Sequence, residues 1–421
     1  MPKLAENIDW EVFNDILVDE FQSPTGRPAL PTRMMVGLLY LKYTYNLSDE
    51  EVLQGWLENP YWQYFCGGTY FEHRLPLEAS SLTRWRGYLK EAGVETMLSE
   101  LIMTGLRTGH IKKSELSRVV VDTTVQEKDI RFPTDARLYD RMRRVLVKAA
   151  NERGLGLRQT YSRKGPAALI RQSCYSRAQQ MKRARRETRR LLTYLGRVTR
   201  DIERKATQED KKLHLLLDRA KQIIGQKKGD KNKLYSVHEP QVECIAKGKA
   251  HKKYEFGCKV GLATTARTNW IVGAKAFHQN PYDGHTLQDS LEQVSFLVGD
   301  EPEHAYVDLG YRGHDYRGRC EVHVANRYRR SIPATLRKWL KRRSAIEPVI
   351  GHVKSEHGLN RNRLKGRLGD KLNVVLSACG FNLRKLMVAV AEAVLSFLFE
   401  LRIRFIMMKI LLNHPNLALD H

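Results

Sequence analysis

Arg118-Val119-Val120-Val121-Asp122 is a short β-branched run that closes on an acid, and Ala305-Tyr306-Val307-Asp308 repeats the pattern far downstream. Such runs read as buried strands. Two parallel neighbours ending this way would carry both aspartates to one edge of a sheet. Outward from these two runs, Tyr254 to Thr264 and Asn269 to Phe277 alternate as a β-hairpin, and Thr286 to Val298 has the period of an amphipathic helix. Cys320 to Ala325 reads as a further strand, and Thr335 to His357 as one long helix. The order is strand, insertion, strand, strand, helix, strand, strand, helix, which predicts an α/β sheet with helices alongside.

The long helix contains Arg343-Ser344-Ala345-Ile346-Glu347. Ile346, Val349, Ile350 and Val353 form an apolar stripe that can pack on the sheet, so that Glu347 looks over the aspartates. Arg343 lies one turn before Glu347 and Lys354 two turns after it, on approximately one face. An isolated triplet of this kind is usually an exposed ion pair. Carboxylates gathered from distant segments are, however, what phosphodiester cleavage around a pair of metal ions roughly 3.5–4 Å apart requires. Magnesium takes oxygen ligands, and flanking cations would position a phosphate strand.

Before the first strand the pattern is helical. Trp10, Phe13, Ile16, Leu17 and Phe21 share a period, Pro31 opens a second helix, and Ser48 with Glu51 makes a capping box. Ser80 or Ser81 can cap another helix, with Leu82, Trp85, Tyr88 and Leu89 buried and Arg84, Arg86 and Lys90 outward. Short helices with an arginine face suit a DNA reader; a plain helical bundle has the same pattern. Between Gln126 and Lys233 the chain is basic, and Lys182, Arg185, Arg186, Arg189 and Arg190 share a broad helical face beside a stripe of Leu191, Leu195, Val198 and Ile202. A second helix carries Leu213, Leu216, Leu217, Ala220 and Ile224. This is an inserted helical hairpin whose arginine face serves nucleic acid or solvent. The expected domains are a helical one over 1–110, a first catalytic part over 111–135, the insertion over 136–233, the remaining catalytic part over 234–385 and a helical tail over 386–421.

The charge balance points the same way. Lys and Arg number 72 against 47 Asp and Glu, a formal charge of +25 that implies a polyanionic partner. A hydrophobic share of 42% excludes global disorder. The six cysteines form no CxxC pair and read as reduced thiols. Cys320 and His323 make a lone CxxH with no second ligand pair, which argues against a zinc site from that pair. The opening residues carry no apolar signal core, and Met387 to Leu398 is too short and too interrupted by charge to span a bilayer. A packed C-terminal helix in a cytoplasmic protein is expected.

Taken in order, Val121-Asp122-Thr123-Thr124, Tyr282-Asp283-Gly284-His285-Thr286-Leu287, Val307-Asp308-Leu309-Gly310-Tyr311-Arg312-Gly313 and Arg343 through Lys354 resemble the bacterial insertion-sequence transposases of the insertion-sequence-five type, within the DDE group. Leu47 to Glu51 and Asn59 to Gly67 resemble that family's helical leader. The resemblance implies an RNase H-like catalytic fold interrupted by an insertion after its first strand. It implies Asp122, Asp308 and Glu347 as the acidic triad holding two magnesium ions, with manganese able to substitute. Arg343 and Lys354 match the arginine and lysine of the tyrosine-x2-arginine-x3-glutamate-x6-lysine signature, while Leu340 stands at its tyrosine position. Arg84, Arg86, Arg185, Arg186, Arg189 and Arg190 are further candidate DNA contacts. The implied partners are double-stranded DNA and a second copy of the chain, with no membrane and no small-molecule substrate. A silent DNA-binding regulator and an RNase H-like resolvase are the rival readings. Asp283 and His285 are expected to cap a helix, His352 and His357 to contact DNA or end their helix, and Glu239 and Glu243 to stand apart from the metal site.

Overall fold

The computed structural model describes residues 1–17, 30–227, 229–246, 253–325 and 332–413; Phe21 falls outside them. In chain order the elements are α1 (Pro2–Asn7), α2 (Val12–Leu17), α3 (Thr32–Thr44), α4 (Asp49–Glu58), α5 (Pro60–Phe65), α6 (Ala79–Arg107) and β1 (Arg118–Lys128). Then come α7 (Asp135–Asn151), α8 (Lys164–Arg177), α9 (Met181–Glu203), α10 (Lys211–Gly225), β2 (Glu243–Ala246), β3 (Tyr254–Thr265) and β4 (Ile271–Phe277). The chain continues through α11 (Leu287–Val298), β5 (His304–Val307), β6 (Glu321–Val324), α12 (Ala334–Arg342), α13 (Ile346–Glu356), β7 (Arg361–Asn362) and α14 (Gly366–Asn413). The class is mixed α/β. The chain divides into two compact units, one of Met1–Gln126 with Lys259–His421 and one of Glu127–Cys258.

In the first unit the sheet runs β3-β1-β5-β6, with β4 paired to β3 and β7 to β1. β1 and β5 are parallel, as are β5 and β6; β3 and β4 form the expected antiparallel hairpin. The exposed edge of β4 is closed by side-chain amides. Asn382 of α14 accepts from Ile271 N at 3.1 Å and donates to Ile271 O at 2.8 Å, and Gln293 of α11 does the same for Ala274 at 2.8 and 3.2 Å. Gly380 lets α14 cross α3 closely, since a Cβ there would stand 2.4 Å from Tyr43 O.

The helices before β1 follow their local signals. Pro31 stands at the N-cap of α3, and Ser48 and Glu51 exchange both hydrogen bonds of the capping box, at 3.1 and 2.7 Å. Asn59 caps α5 and Pro60 opens it. Neither Ser80 nor Ser81 caps α6, which already begins at Ala79. Tyr88, expected inside, is 41% exposed.

Among its described residues the second unit holds four helices, α7 to α10, where a hairpin is expected. Leu191, Leu195, Val198 and Ile202 of α9 are buried against Leu138, Met142 and Leu146 of α7 and Leu213, Leu217 and Ala220 of α10. β2 pairs with the first residues of β3 in the same unit.

Three further expectations change. β1 does not stop at Asp122 but runs on to Lys128. The expected helix over 335–357 is broken into α12 and α13 by a 3-10 turn at Arg343–Ala345. Pro348 explains the break, because its ring has no N–H and collides with the carbonyl four residues back, that of Ser344. The apolar C-terminal stretch is helical; Leu383 and Leu386 are buried, whereas Val388 and Leu395 are 52% and 66% exposed. Gly366–Ala393 is long and apolar enough to cross a bilayer, with 56% of its apolar window buried inside the protein.

Candidate active site

The parallel register of β1 and β5 pairs Arg118 with His304, Val119 with Ala305 and Val120 with Tyr306. Two residues past this last pair stand Asp122, within β1, and Asp308, the residue that follows the end of β5. Side chains at i and i+2 share a face of a strand, so Asp122 shares the face of Val120, and Asp308 follows directly on the strand paired beside it. Asp122 lies inside β1, one step past the residue level with the end of β5, and is half-buried. Asp308 caps the 3-10 turn Leu309–Tyr311, its Oδ1 accepting from Leu309 N at 2.6 Å. Asp122 Oδ1 likewise accepts from Thr123 N at 2.7 Å.

Val120 and Tyr306, on this same face, form a buried cluster with Ala266 and Ile346, packed by Leu336, Trp339, Leu340 and Ile350. Ile346, Val349 and Val353 are buried as the apolar stripe requires, and Glu347, next to Ile346, is exposed. The helix bearing Glu347 is thus anchored on the two strands one side-chain repeat before their aspartates. Leu340 is part of that anchor, which gives it a packing role at the position where the signature has tyrosine. Arg343 lies 3.9 Å from Asp308 Oδ1, only 16% exposed, and its Nε is buried without a hydrogen-bond partner.

A third aspartate joins this region. Asp283 does not cap a helix; its Oδ1 accepts from Thr123 Oγ1 at 2.9 Å and from Lys259 Nζ at 2.8 Å. Gly310 permits the approach, since a Cβ there would lie 3.1 Å from Asp283 Oδ2. The Tyr311 hydroxyl is buried beside them without a hydrogen bond that satisfies it. Burial first, and then the charges of Asp122 and Asp283, push its pKa well above the ordinary value. Thr123 and Tyr311 lie in two of the quoted motifs, whereas Lys259 belongs to none. The Asp283-Gly284-His285 and Gly310-Tyr311 motifs were the available signal, but only the fold brings them beside β1.

The remaining candidates scatter. Lys354 lines a cavity of about 850 Å³ together with Lys42, Arg361, Arg363 and Lys365, opposite the start of α4. Arg84 is exposed, whereas Arg86 is 4% exposed and grips both oxygens of Asp49 at 2.8 and 2.6 Å. An outward DNA-facing position for Arg86 is therefore corrected: α6 turns it inward onto α4. Arg185, Arg186 and Arg189 are exposed on α9, while Arg190 is engaged by the buried Glu187 at 2.7 Å. His352 is exposed and bonds Glu356 at 2.6 Å. His357 is buried at the end of α13 against Tyr43 O, at 3.0 Å, which suits the helix-terminal reading and removes it from DNA. Glu239 is paired with Lys128 at 3.4 Å inside the second unit. Cys320 is buried, its thiol directed to the Glu321 carbonyl, and His323 meets His304 instead.

Two family models match this chain: Transposase domain (DUF772) over residues 1–87 and Transposase DDE domain over residues 233–383. A relative from Rhizobium meliloti, "Uncharacterized protein ORF8 in nfe locus", is 46% identical over 178 residues, which is 42% of this chain and 86% of that protein. No solved structure matches.

Proposed function

Because the chain belongs to the insertion-sequence DDE transposases, we propose that Asp122, Asp308 and Glu347 are its catalytic acids, set in an RNase H-like sheet. The reading is supported by the parallel pairing of β1 with β5 just before Asp122 and Asp308, and by the packing of Val120 and Tyr306 against Ile346, the neighbour of Glu347. The donor set consists of carboxylate oxygens, which fits two magnesium ions, or manganese in their stead. When bound, such ions offset negative charge on a reacting phosphate and lower the pKa of a coordinated water.

The chain's own part is positioning. Arg343, held half-buried with an unsatisfied N–H, would take a phosphate oxygen beside Asp308. Lys354 and the exposed arginines Arg84, Arg185, Arg186 and Arg189 would hold the backbone further out. Lys259 and Thr123 keep Asp283 from crowding Asp122 with uncompensated charge. On this reading the protein binds the ends of an insertion-sequence-five-type element, cleaves phosphodiester bonds there and joins the 3′ ends to target DNA. It works in the cytoplasm as a homodimer, since two ends must meet in one synapse.

The test is cleavage and strand transfer on element-end DNA with wild type and Glu347→Gln. The substitution preserves size and removes one carboxylate charge, so DNA binding should persist. Cleavage should drop by several orders of magnitude, each factor of ten being about 1.4 kcal/mol of barrier. A Glu347→Gln protein that cleaves and joins at the wild-type rate overturns the assignment.

A further inference from the structure

At the far end of β5 from Asp308, three ligand atoms converge. β5 and β6 run parallel with His304 opposite Glu321 and Tyr306 opposite His323. The two-residue repeat of a strand therefore puts His304, Glu321 and His323 on one face. His304 Nδ1 is 3.1 Å from His323 Nε2 and 3.3 Å from Glu321 Oε2, and His323 Nε2 is 3.7 Å from that same oxygen. Four residues at about 3.3 Å each separate His304 from Asp308, roughly 13 Å along the strand, so this cluster is distinct from the catalytic acids.

We propose that His304, Glu321 and His323 form a binding site for a divalent transition-metal ion of the zinc class. Zinc bonds to imidazole nitrogen and carboxylate oxygen are about 2.0–2.2 Å, and a tetrahedral arrangement of such bonds sets neighbouring ligand atoms about 3.3 Å apart. The triangle of 3.1, 3.3 and 3.7 Å has that size. A lone imidazole–imidazole hydrogen bond accounts for one side of the triangle; it does not require a carboxylate oxygen near both nitrogens. Two imidazoles favour zinc, cobalt, nickel or copper over magnesium. His323 is fixed by stacking on Tyr306, ring centroids 5.1 Å apart, and Tyr306 stacks in turn on Trp339 at 6.0 Å. Glu321 is 65% exposed, so the fourth position opens to solvent. An ion here clamps β5 to β6 at the end opposite the acids.

The full chain, stripped with a chelator and returned to excess Mg2+, is titrated with Co2+ while the visible d–d absorption is followed, and with Zn2+ by calorimetry. One ion per chain is expected. His323→Asn and His304→Asn should each weaken binding by more than the roughly 10- to 100-fold that loss of an outer partner of a metal ligand costs. Glu321→Gln, at an exposed position where folding is not at stake, should weaken it as well and alter the Co2+ spectrum. Absence of saturable Co2+ or Zn2+ binding overturns the proposal. So does binding that is unchanged in Glu321→Gln and in a folded His323→Asn, because the ion would then lie elsewhere.

Discussion

Replacing Arg86 by Ala should destabilise the first unit and leave DNA contact itself unaffected. Arg86 is 4% exposed and donates to both oxygens of Asp49, at 2.8 and 2.6 Å, while Lys42 reaches the same carboxylate at 2.5 Å. Truncation removes the bidentate partner of the carboxylate and leaves it Lys42 and the longer contact from Thr83. Breaking a buried pair from one side costs about 3–5 kcal/mol, and at roughly 2 °C per kcal/mol for a unit of this size the thermal midpoint should fall by about 6–10 °C. Asp49 supplies an independent handle. Burial pushes its carboxyl up, but the hydrogen bonds from Arg86 and the charge of Lys42 outweigh burial and hold it at about 2, below the ordinary 3.8. A depressed carboxyl contributes stability that is present above its unfolded pKa and lost as pH falls through the folded one. The wild type should therefore lose this contribution between about pH 4 and 2, and Asp49→Asn should lack that part of the pH dependence. Replacing both partners by apolar side chains should recover part of the loss, because no unpaired charge is left inside. Thermal and urea unfolding of the full chain decide the matter. An Arg86→Ala protein with a wild-type midpoint but weaker DNA binding refutes the reasoning and returns Arg86 to a phosphate.

On α9, Arg185→Ala and Arg189→Ala should each reduce the salt slope of DNA binding by about 1. Arg190→Ala should change it less, because Glu187 already engages that guanidinium; equal slopes for all three contradict the distinction. Lys259→Met should cost about 1.5–3 kcal/mol, the range for a hydrogen bond to a charged group, and should lower cleavage more than DNA binding by leaving Asp283 uncompensated near Asp122. Measured DNA affinity falling in step with cleavage would count against this. Pro348→Ala should let α12 and α13 fuse, visible as added helicity by circular dichroism, and a displacement of Glu347 near 1 Å should slow cleavage about a hundredfold. Unchanged helicity and rate would mean that Pro348 does not cause the break.

Much of the architecture is written locally. The β-branched runs before Asp122 and Asp308, the hairpin of β3 and β4, the capping box at Ser48 and the apolar stripe of α9 each depend on neighbours within a few residues, so their signals survive in one dimension. Asp122, Asp308 and Glu347 are proposed as the acids on that kind of local trace, an apolar run before each aspartate and an apolar helical stripe beside the glutamate. What lay beyond the chain's own reading depends on packing between distant segments. Arg86 and Arg84 are two residues apart and look alike in sequence, yet only the docking of α6 on α4 decides which is buried. Asp283 looks like a helix cap until β3 supplies Lys259 and β1 supplies Thr123. Cys320 and His323 look like half a zinc motif, but the partner of His323 comes from His304 on the adjacent strand, through a parallel register that no sequence spacing encodes. Residue type and period determine where strands, helices and acids occur; strand register and helix docking, which sum many weak contacts across the fold, determine which of those side chains meet.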